Sequence, residues 1–381
     1  MPYPLNDEEQ LILDTVRRFA RDRVRPRAAE IDRTGAFPRD LVQQMAELGL
    51  MGVCLPEEYG GSGQSFVLFA LIIEELCAAC ASTGLILDVT VTLCAESILA
   101  FGTEEQKQRF LVPLAAGEQL GALAMTEPGA GSDAAGIATT AVRSGDHYVL
   151  NGTKTFITNG GEADVYIVTT VTDRTAGHRG ISNFIVEKGT PGLTFGPPMH
   201  KMGICGAVTT EVILRDCPVP AANLLGTEGQ GFTITMDTLD AGRIGIAAQA
   251  VGIARAALED ALEYATQRRQ FGKQITQFQG LQFMIADMAT QIEAARLLML
   301  QAAELRGRHI ACARESAMAK LFAGDTAMRV ATDALQLFGG YGYMKEFPAE
   351  RHMRDAKITQ IYEGTNQIQR MVIARSMLGR E

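Results

Sequence analysis

Ala124-Met125-Thr126-Glu127-Pro128-Gly129-Ala130-Gly131-Ser132-Asp133 is where the chain changes character. Upstream of it, apolar residues recur at helical spacing. Downstream, β-branched residues rise and short apolar runs alternate with turns. Asn6 followed by Glu9 predicts a capped helix start, after which Leu11, Val16 and Phe19 continue the helical period. More helix is expected over 39–48, 66–80, about 83–101 and 104–116, broken by Gly-rich stretches such as Tyr59-Gly60-Gly61-Ser62-Gly63. Beyond the quoted segment, strands are expected over 165–171, 183–186 and 209–214. Tyr148-Val149-Leu150 running into Asn151-Gly152 reads as a hairpin. From Phe232 the helical period returns over about 232–266, 278–306, 313–337 and 365–378. Long helices with short connections suggest a four-helix bundle. The expected fold is α+β and mostly α: an N-terminal helical domain (1–121), a central β domain (122–230) and a C-terminal helical bundle (231–381).

Composition narrows the function. The 381 residues are 47% apolar and 21% charged, which suits a globular protein of two or three domains. The net charge of -9, the absence of tryptophan and the lack of a basic block argue against nucleic acid as a partner. Met1 to Gln10 is polar and acidic, and the apolar run 65–81 is interrupted by Glu74 and Glu75. No run approaches the roughly 18 residues of a membrane helix, so no membrane insertion and a cytoplasmic location are expected. Seven cysteines at irregular spacing do not form a disulfide framework, and Cys77-x-x-Cys80 lacks a second pair. Buried thiols and no metal site are the expectation.

Four segments carry candidate chemistry. In the opening segment, glycines permit close backbone approach, and Thr126 and Ser132 place hydroxyls beside N–H groups. Such a loop can cradle a phosphate or the polar edge of a flavin, or it can be a plain turn. Lys154-Thr155-Phe156-Ile157-Thr158-Asn159-Gly160, expected between a hairpin and the next strand, offers an aromatic beside a hydroxyl. Leu335-Gln336-Leu337-Phe338-Gly339-Gly340-Tyr341-Gly342-Tyr343 has more glycine than a helix C-cap requires. In Ile361-Tyr362-Glu363-Gly364-Thr365-Asn366-Gln367, Glu363 stands in a gap between helices. It is either a base with a raised pKa or a solvated loop residue, and these residues alone do not separate the two.

Together these segments resemble the acyl-CoA dehydrogenase family, and the resemblance spans the whole chain. It also includes Leu55-Pro56-Glu57-Glu58-Tyr59-Gly60-Gly61, Phe101-Gly102-Thr103-Glu104-Glu105-Gln106-Lys107 and Arg268-Arg269-Gln270-Phe271-Gly272-Lys273. The two long signatures, Ala124 to Gly136 and Gln336 to Asp355, are unbroken, and the short-chain (butyryl-CoA) branch is the most similar. The resemblance implies a homotetramer with FAD, an acyl-CoA substrate and an electron-transfer flavoprotein as acceptor. It places Leu123, Met125, Thr126, Gly131 and Ser132 on the flavin ring and pyrophosphate, and Phe156, Ile157 and Thr158 on the ring's other side. Arg268, Gln279, Gln336, Gly339 and Gly340 would reach FAD across a subunit boundary, and Thr365, Asn366 and Gln367 would add a further contact. Ser132, Asp240, Arg243 and Gly364 would bind substrate. Glu363 matches the catalytic base that removes the α-proton while flavin N5 takes the β-hydride. The alternative base position of some relatives is Gly242 here, which cannot serve.

Asp88 departs from the branch, where a small uncharged residue is usual. On a helix it shares a face with Gly84, Thr92 and Ala95. It is either satisfied by a neighbouring hydroxyl or helix end, or it serves a non-standard acyl group. In the second case it orients an alicyclic, cyclohexane-type acyl chain or takes a proton in a 1,4-elimination on a cyclic enoyl-CoA. No arginine stands near Gly84, which disfavours a dicarboxylic substrate, and Cys205 replaces an arginine common in the family. An acyl-CoA oxidase is the competing enzyme reading. A flavin-free structural paralogue is the competing non-enzyme reading.

Overall fold

The computed structural model describes residues 4–379. The first helices are α1 (Asp7–Phe19), α2 (Ala28–Thr34), α3 (Arg39–Glu47) and α4 (Phe66–Ala79). They lead into α5, the continuous helical run Ala81–Phe101, and α6 over 104–115. The start is capped as its sequence implies. Glu9 N–H donates to Asn6 Oδ1 (2.8 Å), and Asn6 N–H donates to Glu9 Oε2 (3.0 Å). Leu11, however, is exposed, and Leu13 takes the inward place with Val16 and Phe19. In α4 every residue except Ala78 is buried. A helix apolar all round has to lie in the middle of its layer. Contrary to the sequence expectation, α5 is long and apolar enough to cross a membrane, but 78% of that window is buried inside the protein. It is a core helix. Its middle turn, Val89–Ala95, is π-helical.

The central sheet has eight strands: β1 (Gly121–Ala124), β2 (Thr140–Ser144), β3 (His147–Thr158), β4 (Val165–Val171), β5 (Ile181–Glu187), β6 (Leu193–Phe195), β7 (Thr209–Pro220) and β8 (Leu224–Leu225). The order is β6-β7-β3-β2-β4-β5-β8, with β1 parallel to β4. Asn151-Gly152 is not a turn. The hairpin turns at Gly145, where φ is +66°, and Asn151-Gly152 lies inside β3 at a break in register with β7. There Asn151 is held by Asp216 of β7 through bonds of 3.2 Å and 2.8 Å. Thr139 fills the space beside Gly152 that a side chain would need. Lys154 to Thr158 therefore belongs to a strand and not to a connection.

Helices then return as α7 (Gly231–Gln267), α8 (Gln279–Gly307), α9 (Ala313–Phe338), α10 (Ala349–Ile358) and α11 (Asn366–Met377). The sequence signalled the four longer ones. It did not signal α10, because the inward face of that helix is polar. His352 bonds Asp260 (2.8 Å), and Asp355 accepts from Ile204 N–H (2.6 Å). All seven cysteines are free, and no cluster suited to a metal occurs among the described residues.

Helix α7 packs on α4, α5, α8, α9 and α10 and so joins both helical layers. Its contact with α4 is backbone-close, since a Cβ added at Gly252 would lie 2.4 Å from the Glu74 carbonyl oxygen. Beside that contact, Glu74 is fully buried between Arg255 (3.2 Å) and Arg296 (2.9 Å). Gly252→Ala should therefore force α4 and α7 apart and cost about 1–3 kcal/mol. The expected result is a lower urea midpoint with an unchanged slope.

Candidate active site

Glu363 follows α10 in a tight turn that leads into α11. Its φ is +52° and that of Gly364 is +89°, so two successive residues are left-handed. The first of these is strained for a residue with a side chain. The turn is held from within. Gln369 Nε2 donates to the carbonyls of Glu363 (3.1 Å) and Gly364 (2.9 Å), and Lys320 Nζ donates to the Gly364 carbonyl (2.8 Å). Among the described residues, the Glu363 N–H makes no hydrogen bond, and its buried Oε2 has no partner. That oxygen points at α7, where a Cβ on Gly242 would lie 2.2 Å away. Gly242 is thus more than a vacant base position, because the carboxylate of Glu363 occupies the space its side chain would need.

Burial pushes Glu363 up to about 7, opposed by the positive charges of Lys320 and then Arg243. Asp88 lies on the same side of α7, one helical turn away. Its Oδ1 would be 1.8 Å from a Cβ on Gly245. It is 1% exposed, its Oδ1 accepts from Thr92 Oγ1 (3.3 Å), and its Oδ2 has no partner among the described residues. Burial first, and the charge of Glu363 second, hold Asp88 well above the usual carboxylate range. The two acids are therefore a coupled pair in which one ionises at the expense of the other. The neighbouring hydroxyl foreseen for Asp88 exists, but it satisfies only one oxygen.

Arg243, on the next residue of α7, is almost fully buried and paired with Asp240 at 2.6 Å. Its Nε is unpartnered among the described residues, which leaves a donor for an anionic ligand.

The segments singled out for a flavin meet through the backbone. Thr155 N–H donates to the Thr126 carbonyl (2.8 Å), which joins the opening loop to β3. Lys154, fully buried, donates to the Met125 carbonyl (3.0 Å) and to Glu127 Oε1 (2.7 Å). Glu127 in turn accepts from the N–H groups of Ala138 (2.7 Å) and Thr139 (3.0 Å). The far side of the loop is open, with nothing within 4 Å of a Cβ built on Gly129 or Gly131. Phe156 has φ +58° and is 68% exposed. A large aromatic held outward in a strained conformation fits a platform for a planar ring. Ile157 differs from its neighbour. Its side chain is in the core, so only its backbone can meet a ligand. Asn366 is likewise internal, bonded to Asp325 (2.8 Å) and Lys320 (3.2 Å), and the Thr365 hydroxyl caps α11.

Arg268, Gln336, Gly339 and Gly340 line one open groove of about 910 Å³ together with Phe271 and Phe278. Gln279 is the first residue of α8, beside the lining residues Gly280 and Leu281. The Arg268 guanidinium lies 5.4 Å from the Tyr341 ring centre. A second hollow of about 430 Å³ is lined by Thr365, Asn366 and Gln367. This set, with open glycines, an exposed aromatic and an arginine beside bare backbone, fits FAD. Lys154, Glu127, Lys320 and Gln369 were not singled out from the sequence. The signal for the lysines was their parity: Lys154 shares the inward row of β3 with Tyr148 and Leu150, and Lys320 lies in the row Ser316, Ala323, Ala327 of α9.

Models of the acyl-CoA dehydrogenase N-terminal, middle and C-terminal domains match residues 6–118, 122–217 and 229–378. A short-chain specific acyl-CoA dehydrogenase of Clostridium acetobutylicum is 50% identical over 374 residues, 98% of this chain and 99% of that protein. The structure of butyryl-CoA dehydrogenase from Megasphaera elsdenii aligns with a TM-score of 0.98 at 49% identity, covering 99% of this chain and 100% of that one. A chain solved in work on the electron transferring flavoprotein of Acidaminococcus fermentans and flavin-based electron bifurcation aligns equally well, with a TM-score of 0.98, 52% identity, and 99% and 100% coverage. With all three domains matched in order, the chain belongs to the acyl-CoA dehydrogenase family and is an FAD-dependent oxidoreductase.

Proposed function

We propose that this protein removes two hydrogens across the α and β carbons of a short-chain or alicyclic acyl-CoA, with Glu363 as the base. The observation that carries the reading is the Glu363 carboxylate, buried and unpartnered at Oε2 and aimed at the side-chain-free surface of Gly242. A carboxylate raised to about 7 by burial is poised to accept a proton near neutral pH. The free N–H of Glu363 is a donor for the thioester carbonyl, whose developing enolate charge it would stabilise. Glu363 takes the α-proton, and FAD, when bound, supplies the acceptor for the β-hydride. Arg243, with its spare Nε, and Asp240 face the CoA portion, and Gly364 and Ser132 contribute contacts to the substrate.

The short-chain relatives support a small acyl group. Asp88 supports something other than a plain alkyl chain. As a buried, protonated acid with a free oxygen it can donate to a polar substituent or orient a ring, here a cyclohexane-type acyl-CoA. A second reading rests on the same oxygen: with the proton of the coupled pair on Glu363, the ionised Asp88 accepts the distal proton in a 1,4-elimination on a cyclic enoyl-CoA, and FAD, when bound, would supply the acceptor for the hydride. For partners we propose an electron-transfer flavoprotein as the electron acceptor, in line with the Acidaminococcus work. We also propose a cytoplasmic homotetramer, in which a second subunit covers the groove lined by Phe271 and Tyr341, exposed by 92% and 48%.

Three outcomes test the reading. Glu363→Gln should keep FAD and lose substrate-dependent flavin bleaching by a factor on the order of 10² to 10⁴. Full bleaching by this variant removes Glu363 as the base. In the wild type, kcat/KM should rise with pH and reach half its plateau near pH 7, because only the ionised Glu363 accepts a proton. Asp88→Ser should lower the rate on cyclohexanecarboxyl-CoA about tenfold relative to butyryl-CoA, equivalent to about 1.4 kcal/mol in the barrier. An unchanged preference for butyryl-CoA in both proteins discards the alicyclic substrate.

A further inference from the structure

Two lysines among the described residues are wholly buried, and one of these two is accounted for by an ion pair. Lys154 has the carboxylate of Glu127 at 2.7 Å. Lys320, in the middle of α9, forms no ion pair among the described residues. Its ammonium meets only the Gly364 carbonyl at 2.8 Å and Asn366 Oδ1 at 3.2 Å. An unpaired ammonium in the interior is expensive, and a leucine or methionine would fill the same volume at lower cost. The position of its bonds shows what the charge is for. Gly364 is the residue after Glu363, both are left-handed, and Asn366 opens α11. Lys320 therefore ties the two ends of the turn that carries Glu363 to the middle of α9.

We infer that Lys320 is the positioning residue of the catalytic turn: its ammonium pins the Gly364 carbonyl, keeps Glu363 facing α7, and supplies the uncompensated positive charge that the Glu363 carboxylate faces. The inference rests on the reading of Glu363 as base. The other charged or titratable groups around that carboxylate are Arg243 from α7, Asp88 from α5 and Tyr362 beside it. Arg243 is already paired with Asp240 at 2.6 Å, so its charge is largely spent. Asp88 brings no positive charge, and the charge of Glu363 strengthens its hold on a proton. Lys320 accordingly heads the influences that lower the affinity of Glu363 for its proton. The relation is mutual. Burial brings Lys320 down to about 7; Glu363 raises it against that, Arg243 lowers it further and Asp325 raises it. Asp325 is itself engaged by Gln360, Asn366 and Arg370. The charged lysine thus favours the ionised Glu363, and the ionised Glu363 favours the charged lysine.

Three variants separate charge from geometry: Lys320→Gln, whose amide can still donate to Gly364; Lys320→Met, which cannot; and Glu363→Gln in parallel. Each holoenzyme is assayed for FAD per chain by absorbance, for the pH profile of kcat/KM on butyryl-CoA, and for proton uptake on binding crotonyl-CoA by calorimetry in two buffers. In Lys320→Gln the FAD content should stay at the wild-type level and KM within about twofold. The acid limb should move to higher pH by about one unit, a loss of about fivefold at pH 7. Proton uptake on binding should shift by the same amount. Lys320→Met should show this shift and, in addition, a lower kcat at every pH. Wild-type profiles in both FAD-loaded lysine variants overturn the inference. So does loss of FAD from both while Glu363→Gln retains it, which makes Lys320 a residue of the fold alone. Full activity in Glu363→Gln instead removes the base assignment itself.

Discussion

The side-chain-free surface of α7 is the constraint on which the rest depends. Gly242, Gly245 and Gly252 are separated by three and seven residues, so they lie on one side of the helix. Each is occupied by something that a methyl group would displace: the Glu363 carboxylate, the Asp88 carboxylate and the backbone of α4. Glycine within a helix is unfavourable by about 1 kcal/mol relative to alanine. Here that cost is set against close helix packing at Gly252 and room for two acids at Gly242 and Gly245. The helix that holds the N-terminal layer against the bundle also forms the wall of the site, so packing and chemistry share one surface.

Buried charge follows the same economy. The interior ion pairs, Glu74 with Arg255 and Arg296, Lys154 with Glu127, and His352 with Asp260, join segments distant in sequence and leave their partners compensated. The site breaks that pattern. Asp88 and Glu363 form no ion pair among the described residues, and Asp88 Oδ2, Glu363 Oε2 and Arg243 Nε are buried there without hydrogen-bond partners. They lie within a few residues of one another along α7 or against it. Unsatisfied polar groups gathered in one place are what a ligand with matching polarity is able to repay.

Much of the layered order was legible in the sequence, because it is written in periodicity. The Asn6–Glu9 cap, the long C-terminal helices and the change of character at residues 124–133 are local signals. What escaped is what local signals cannot carry. Helix α10 hides because its inward face is His352 and Asp355. Asn151-Gly152 resembles a turn because a bulge and a turn ask for the same residues. Both carboxylates of the site could be named from sequence, but their common relation to Gly242 and Gly245 could not, since it arises only when α5, α7 and the turn before α11 meet. Lys320 was passed over for a different reason. Lysine in a helix usually faces water, and only its place in a row of small buried residues marks it otherwise.

The bonds around Lys154 bear on how the glycine loop meets a ligand. Lys154 Nζ, the Met125 carbonyl and Glu127, with the N–H groups of Ala138 and Thr139, form a knot made wholly of protein atoms. The knot fixes the glycine loop from behind while its outer side stays open. The loop therefore draws its shape from the sheet behind it, so a ligand on the open outer side would meet a backbone already in place.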